Sequence, residues 1–272
     1  MMRALYTAAT GMIAEQTNVD TIANNLSNVN TYGYKKERTE FKSLLYQTIQ
    51  TRTTSANGDQ KPVGAQVGLG TRVAATTSMY TQGSLTETDN KTDFALDGDG
   101  FFAVRALDGQ TYYTRNGAFT WSQAADGRTI LADASGNAVL DTAGNVIAVP
   151  NGVSSEKMDF QEDGSVGYYQ PDGTYVSLNQ KMAVYQFNNP AGLEKMAGSL
   201  LAQTGASGNA MLESTTAGLK ASKVLAQHLE GSNVNVADEM VNMIVAQRAY
   251  ELNSKAITTA DSMLDTANNL KR

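Results

Sequence analysis

Asn235-Val236-Ala237-Asp238-Glu239-Met240-Val241-Asn242-Met243 opens a run that reaches Leu270 without one glycine or proline. Val236, Met243, Tyr250, Ile257 and Leu264 stand seven apart in it. A seven-residue repeat of apolar side chains returns each to nearly the same side of an α-helix. Asn235 suits the N-cap, Asp238 and Glu239 lie in the positive first turn, and Lys271 and Arg272 follow at the negative end. Glu251 and Lys255 have the spacing of a favourable i, i+4 pair. Such a helix is roughly 50 Å long at about 1.5 Å per residue, far beyond the usual globular helix. The run predicts an assembly helix that needs partners.

The other end of the chain repeats the pattern. Leu5, Met12, Val19 and Leu26 are spaced by sevens, with Ala8 and Ile22 three residues after two of them and Glu15 in the corresponding middle place. Each large apolar side chain contributes only about 1.5–3 kcal/mol, and only when something covers it. Periodicity alone leaves open whether the cover is the chain's own domain or a second subunit. With seams this narrow, both ends are expected to stay largely disordered until a partner captures them. Five asparagines follow: Asn18, Asn24, Asn25, Asn28 and Asn30. Helix termination near residues 28–31 accounts for Asn28 and Asn30, with Gly33 free to turn left-handed. Asn24 and Asn25 fall in mid-helix, where their amides are expected to cross-link neighbouring helices.

Residues 36–49 read as a second short helix with Phe41, Leu44, Leu45 and Ile49 on one side. Thr51 to Gly70, rich in Thr, Ser and Gly with Pro62 inside, reads as an exposed arm. The character then changes. Phe101 to Val104, Thr111 to Thr114, Val146 to Val149 and Met182 to Phe187 are short β-type runs. Between them recur Asp108-Gly109, Asn116-Gly117, Asp126-Gly127, Asn151-Gly152, Asp163-Gly164 and Asp172-Gly173, the dipeptides of tight hairpins. The expected fold class is α+β, with long N- and C-terminal helices forming a coiled-coil layer and bracketing a β-rich domain. The expected divisions are a helical part at 1–50, an arm at 51–70, a β-rich outer domain at 71–227 and the C-terminal helix at 228–272.

A net charge of −6 argues against nucleic acid and against an anionic membrane surface, both of which select cationic faces. Cysteine is absent and His228 is the only histidine, so thiolate sites, zinc sites and Ser-His-Asp catalysis have almost no material. Gly98-Asp99-Gly100-Phe101-Phe102-Ala103 fits a dinucleotide fingerprint in letters, but a strand-like Phe-Phe-Ala-Val follows where a helix is required. Asp97 and Asp99 hint at a calcium loop, yet Phe101 occupies a ligand position. No carboxylate pair is singled out by spacing. The expectation is no catalysis and no cofactor. Met1 to Gly11 is broken by Thr7, Thr10 and Gly11, and no run approaches the about 18 apolar residues of a membrane helix. No cleaved leader and no membrane insertion are expected.

Ala23-Asn24-Asn25-Leu26-Ser27-Asn28-Val29-Asn30-Thr31-Tyr32-Gly33-Tyr34-Lys35 resembles the N-terminal signature of the flagellar basal-body rod and hook proteins. Leu44-Leu45-Tyr46-Gln47-Thr48-Ile49 is similar to the branch that builds the distal rod. Ser232-Asn233-Val234-Asn235-Val236, with Ala246-Gln247-Arg248-Ala249-Tyr250-Glu251-Leu252-Asn253-Ser254-Lys255-Ala256, resembles its C-terminal motif. Asp93 to Val104 and Tyr113-Thr114-Arg115-Asn116-Gly117-Ala118-Phe119 resemble the family's central β motif; Trp121-Ser122-Gln123-Ala124-Ala125 departs from it. The resemblance implies a structural subunit that polymerises helically with itself into a hollow drive shaft in the cell envelope. It also implies type III export without a cleaved signal, and contacts with other rod proteins, the hook protein and rings around the rod. Residues 51–70 then correspond to the segment that stiffens the distal rod. The expected subunit interface is Leu5, Met12, Val19, Ile22, Leu26, Asn24, Asn25 and Asn28, with Val236, Met240, Met243, Gln247, Tyr250, Ile257 and Leu264. The alternatives are a proximal rod or hook-type axial protein, although the chain is short for a hook protein, or a cell-surface binding module using Tyr112, Trp121, Tyr168 and Tyr169.

Overall fold

A computed structural model describes residues 2–50, 64–124, 127–150, 153–161, 164–170, 172–216 and 218–270. They form two compact units, one of residues 1–27, 37–78 and 235–272, the other of residues 28–36 and 79–234.

The first unit holds both long helices, α1 (Met2–Ser27) and α2 (Val236–Asn269), and four strands, β1 (Glu37–Ser43), β2 (Tyr46–Gln50), β3 (Ala65–Gly68) and β4 (Thr71–Ser78). The Asn235 side chain caps α2, accepting from the Ala237 N–H at 3.0 Å. The 34 residues of α2 run roughly 50 Å at about 1.5 Å per residue. Glu251 turns towards Arg248, at 2.8 Å, and not towards Lys255.

The second helix expected over residues 36–49 is not formed. β1 pairs antiparallel with β4 from Glu37↔Ser78 to Ser43↔Thr71, with a bulge between Glu40 and Phe41, and β2 pairs with β3 from Tyr46↔Gly68 to Gln50↔Ala65. The partner of β1, Thr71-Arg72-Val73-Ala74-Ala75-Thr76-Thr77-Ser78, is rich in residues that favour a pleated surface. The strand presents Thr39 inward, buried, while Phe41 is half-exposed, so the apparent apolar face of a helix was never a core face. Pairing across 28 to 41 residues overrides local periodicity, and local periodicity cannot see it. Of the expected arm, β3 and the turn to Gly70 are placed; residues 51–63 lie outside the described residues.

The second unit is β-rich. Its strands begin with β5 (Leu85–Glu87), β6 (Phe94–Asp97), β7 (Phe101–Arg105), β8 (Thr111–Thr114), β9 (Thr120–Gln123), β10 (Thr129–Ala132) and β11 (Ala138–Val139). A separate sheet of β12 (Met158–Phe160), β13 (Ser165–Tyr169) and β14 (Tyr175–Lys181) follows. The last strands are β15 (Val184–Gln186), β16 (Glu194–Lys195), β17 (Leu201–Ala202), β18 (Met211–Leu212), β19 (Lys223–Ala226) and β20 (His228–Glu230). The main sheet runs β16-β17-β8-β7-β11-β10-β9, with β15 on β7 and β18 on β15. β19 pairs with β6 and β20 with β5, so the end of the unit closes back on its beginning.

β7 is the hub because both of its faces are apolar. Phe102 and Val104 enter one core with Phe94, Phe119 and Leu131, while Phe101 and Ala103 enter a second with Tyr113, Phe187 and Leu201. A strand buried on both sides reads as a continuous apolar run, which is why Gly98 to Ala103 leads into a strand and not a nucleotide-binding helix. Gly109 closes the β7–β8 hairpin at φ +79°, with Gln110 N–H bonded to Asp108 Oδ1 at 2.8 Å. Asn116-Gly117 is not a hairpin tip. The φ of Gly117 is not positive; a Cβ there would lie 1.7 Å from the Phe94 carbonyl oxygen, so glycine is needed for close approach. Val146 to Val149 makes only single bridges, Val146 to Leu140 and Ala148 to Ile130. Asp126, Asn151, Gly152 and Asp163 lie outside the described residues.

Candidate assembly interface

In the helical unit α1 and α2 pack antiparallel: Asn25 meets Glu239 at one end and Gly11 meets Asn253 at the other. The buried stripe of α2 is Glu239, Ala246 and Ala260, with Asn253 half-buried between them, again seven apart but three residues along from the expected heptad. Its counterpart on α1 is Ala8, Ala14, Thr21, Ile22 and Asn25. Small side chains decide this. A Cβ on Gly11 would sit 2.8 Å from Asn253 Nδ2, so glycine there leaves room for the Asn253 amide against α1, while the bulkier heptad is turned aside.

A polar knot closes the seam. Asn25 is fully buried; its Nδ2 donates to the Glu37 carbonyl at 2.8 Å and its Oδ1 accepts the Glu37 N–H at 2.9 Å. The amide thus acts as a one-residue strand partner for β1. The same Nδ2 donates to Glu239 Oε2 at 3.1 Å, and Thr39 Oγ1 donates to Thr21 Oγ1 at 2.9 Å. One side chain ties α1, α2 and β1.

Ile22 is buried, and Leu5, Met12, Val19, Leu26, Met243 and Ile257 are half-buried. Asn24, Met240 and Gln247 are exposed, as are Val236, Tyr250 and Leu264, at 39, 42 and 39%. Asn28 belongs to the β-rich unit, where its Oδ1 accepts from Thr31 Oγ1. On the side of α2 away from α1 lies an apolar stripe absent from the heptad reading: Met240, Val241, Ile244, Val245 and Leu252, all more than half exposed. The i, i+4 pairs 240/244 and 241/245 were its signal, overlooked because they lie outside the seven-residue repeat. Tyr6 and Ile13 form a lesser stripe on α1, and Leu45, Tyr46 and Ile49 stand exposed at the β2–β3 hairpin.

The β-rich unit contains a buried charge cluster that none of the sequence motifs announced. Glu230 Oε1 lies 2.6 Å from Lys35 Nζ, and Oε2 lies 3.2 Å from Arg115 Nη1. Lys35 also donates to the Thr81 carbonyl at 2.8 Å, Arg115 Nη2 to the Gly98 carbonyl at 2.6 Å, and the Gly83 N–H to Glu230 Oε1 at 2.9 Å. The Arg115 guanidinium sits 5.2 Å from the Phe101 ring centroid. Burial pushes the Lys35 ammonium below its ordinary value; Glu230 pulls it back up and Arg115 pushes it down. Beside this cluster Asn233 Oδ1 accepts the Lys36 N–H at 2.7 Å and its Nδ2 donates to Met79 and Thr81 carbonyls at 2.8 and 3.0 Å.

An aromatic platform is not assembled. Tyr112, Trp121 and Tyr168 pack against the main core, Trp121 stacking on Phe160 at 6.2 Å, and only Tyr169 is exposed. His228 Nδ1 bonds the Ala226 carbonyl at 2.8 Å. No described helix is long and apolar enough to cross a membrane.

Three family models match the chain. Residues 5–35 match the flagella basal body rod protein, residues 95–168 the flagellar hook protein FlgE/F/G D1 domain, and residues 225–270 the flagellar basal body rod FlgEFG protein C-terminal region. Lys35, Arg115 and Glu230 fall one in each. The chain is 44% identical to the flagellar basal-body rod protein FlgG of Borreliella burgdorferi, covering 100% of both chains. It is 41% identical to that of Agrobacterium fabrum, covering 99% of this chain and 100% of the relative. It is 34% identical to that of Bacillus subtilis, covering 100% of both. With full-length identity at this level and all three motifs in place, the chain belongs to the flagellar rod and hook family, as a structural subunit of the basal-body rod and not an enzyme.

Proposed function

We propose that the chain builds the distal part of the rod by polymerising helically with itself, its terminal helices forming an inner coiled-coil layer around a channel. The observation that carries this is the outward stripe of α2. Met240, Val241, Ile244, Val245 and Leu252 remain exposed after α1 has covered the opposite side. Covering them is favourable by about 1.5–3 kcal/mol per large side chain, and the gain recurs in every subunit. The proposed interface comprises Leu5, Met12, Val19, Ile22, Leu26, Asn24, Asn25, Asn28, Val236, Met240, Met243, Gln247, Tyr250, Ile257 and Leu264, to which Val241, Ile244, Val245 and Leu252 are added. Stacked helices then carry torque along the axis.

The inner layer and the outer β-rich domain are proposed to be separate functional layers, dividing near Ser27, Lys36, Ser78 and Val234. Export through the flagellar type III apparatus without a cleaved signal, and contacts with neighbouring rod proteins, the hook and surrounding rings, belong to the same reading. Electron microscopy of the purified protein at high concentration tests it. Filaments of one diameter are expected, and a persistent monomer with ordered helices overturns the reading. Deleting residues 236–272 is expected to abolish filaments and leave cooperative melting of the β-rich part; loss of that melting overturns the two-layer division.

A further inference from the structure

The buried cluster of the β-rich unit borders a cleft of about 190 Å³. Among the described residues, the charged groups lining it are Lys35, Arg115 and Lys195, all cations. Lys35 and Arg115 are only 6 and 4% exposed and share Glu230 as their ion-paired carboxylate, with Asp99 also acting on Lys35 by its charge. Arg115 Nε is buried without a hydrogen-bond acceptor. Leaving a buried N–H unpaired is costly, and a buried cation more so, so this wall favours an anionic acceptor. Lys195 stands exposed at the rim, on β16, the end strand of the main sheet, where an incoming group meets it first.

We propose that this cleft accepts one carboxylate, and that it comes from an acidic side chain of a second copy of the chain. A carboxylate is planar, and its two oxygens suit the N–H groups of a guanidinium together with an ammonium. The copy is favoured as its source because the chain carries 27 acidic against 21 basic residues, so an acidic surface is what every neighbour offers. That second step rests on the self-assembly reading above. An added carboxylate also opposes, by its charge, the lowering that burial imposes on Lys35.

The test uses the full chain as a dilute monomer, with the Arg115 Nε–H resonance assigned by its loss in Arg115→Lys. Sodium formate is titrated at fixed ionic strength made up with sodium chloride. A saturable shift of that resonance is expected, weakened roughly tenfold in Lys195→Ala and kept in Lys195→Arg. A non-saturating drift shared with the exposed Arg248 Nε–H overturns the cleft. In assembly, Lys195→Glu is expected to raise the protein concentration needed for filaments by roughly tenfold or more, and Lys195→Arg to leave it near wild type. Saturable formate binding with unimpaired Lys195→Glu filaments overturns the second copy as source. If the wild type forms no filaments, self-assembly falls and the second copy with it, while the formate titration still decides the cleft.

Discussion

Lys35 Nζ donates to Glu230 Oε1 across 2.6 Å, joining residues 195 apart in the chain with both side chains buried. Arg115 holds the other oxygen, so one carboxylate answers two cations. Removing the shared member is therefore the worse injury. Glu230→Ala is expected to cost about 3–5 kcal/mol because two buried cations lose their counter-ion. Lys35→Met leaves Glu230 with Arg115 and is expected to cost about 1.5–3 kcal/mol. Urea unfolding of the full chain ranks the two, and the opposite order would show that Glu230 does not organise the cluster.

The same ammonium gives a pH dependence. Burial lowers the Lys35 pKa in the folded chain below its ordinary 10.5, so between those two values the unfolded chain binds more protons. Stability contributed by this group therefore rises as pH climbs from the depressed value towards 10.5 and is level on either side of that window. Subtracting the unfolding profile of Lys35→Met from that of the wild type isolates the slope. A difference that declines with rising pH in that window contradicts the burial argument.

Tyr113 acts in the other direction. Burial, with Tyr185 beside it, pushes its phenol from 10.0 to about 12. Between those values the unfolded chain has lost the proton that the folded chain keeps, so stability falls as pH rises from 10.0 to about 12. Tyr113→Phe is expected to flatten this alkaline decline in thermal melts. An unchanged decline places the titration elsewhere.

The two long helices, the N-cap at Asn235 and the β-rich middle were legible because each rests on local signals: period, capping residue and Gly-containing turns. β1 and β2 were not, since a strand paired to a segment 15 to 41 residues away leaves no trace in its own periodicity. The heptad on α2 was legible as a repeat but misleading as a seam. The face that packs on α1 carries Glu239, Ala246, Asn253 and Ala260, with Gly11 of α1 against Asn253, and leaves Tyr250 and Leu264 outside. The Lys35, Arg115 and Glu230 cluster was invisible for a different reason. Each member sits in a separate motif, and only the closure of β20 on β5 brings Glu230 into its place.

Asn25 and Asn24 are adjacent in sequence and differ in burial, Asn25 being 0% exposed and Asn24 lying at the surface. Asn25→Ala leaves the Glu37 N–H and carbonyl and the Glu239 carboxylate each short of a partner, at about 1–3 kcal/mol per orphaned group. Asn24, exposed, is expected to cost distinctly less on replacement by Ala. Helical circular dichroism during urea unfolding compares them, and equal losses would remove the special role given to Asn25.

Val245 and Ala246 are neighbours on α2, about 100° apart around its axis, and are 62 and 1% exposed. Ala246→Leu forces extra volume into the contact with α1 and is expected to destabilise the helical unit by about 1–3 kcal/mol. Val245→Asp places a charge on a surface already in water, so monomer stability should change by no more than about 0.5 kcal/mol. In a filament that charge would be buried against a neighbour, and assembly should fail. Unfolding of the dilute monomer and filament counts by electron microscopy separate the two effects. Val245→Asp filaments as abundant as wild type would mean that the outward stripe is not the joint between subunits, whatever the monomer stabilities show.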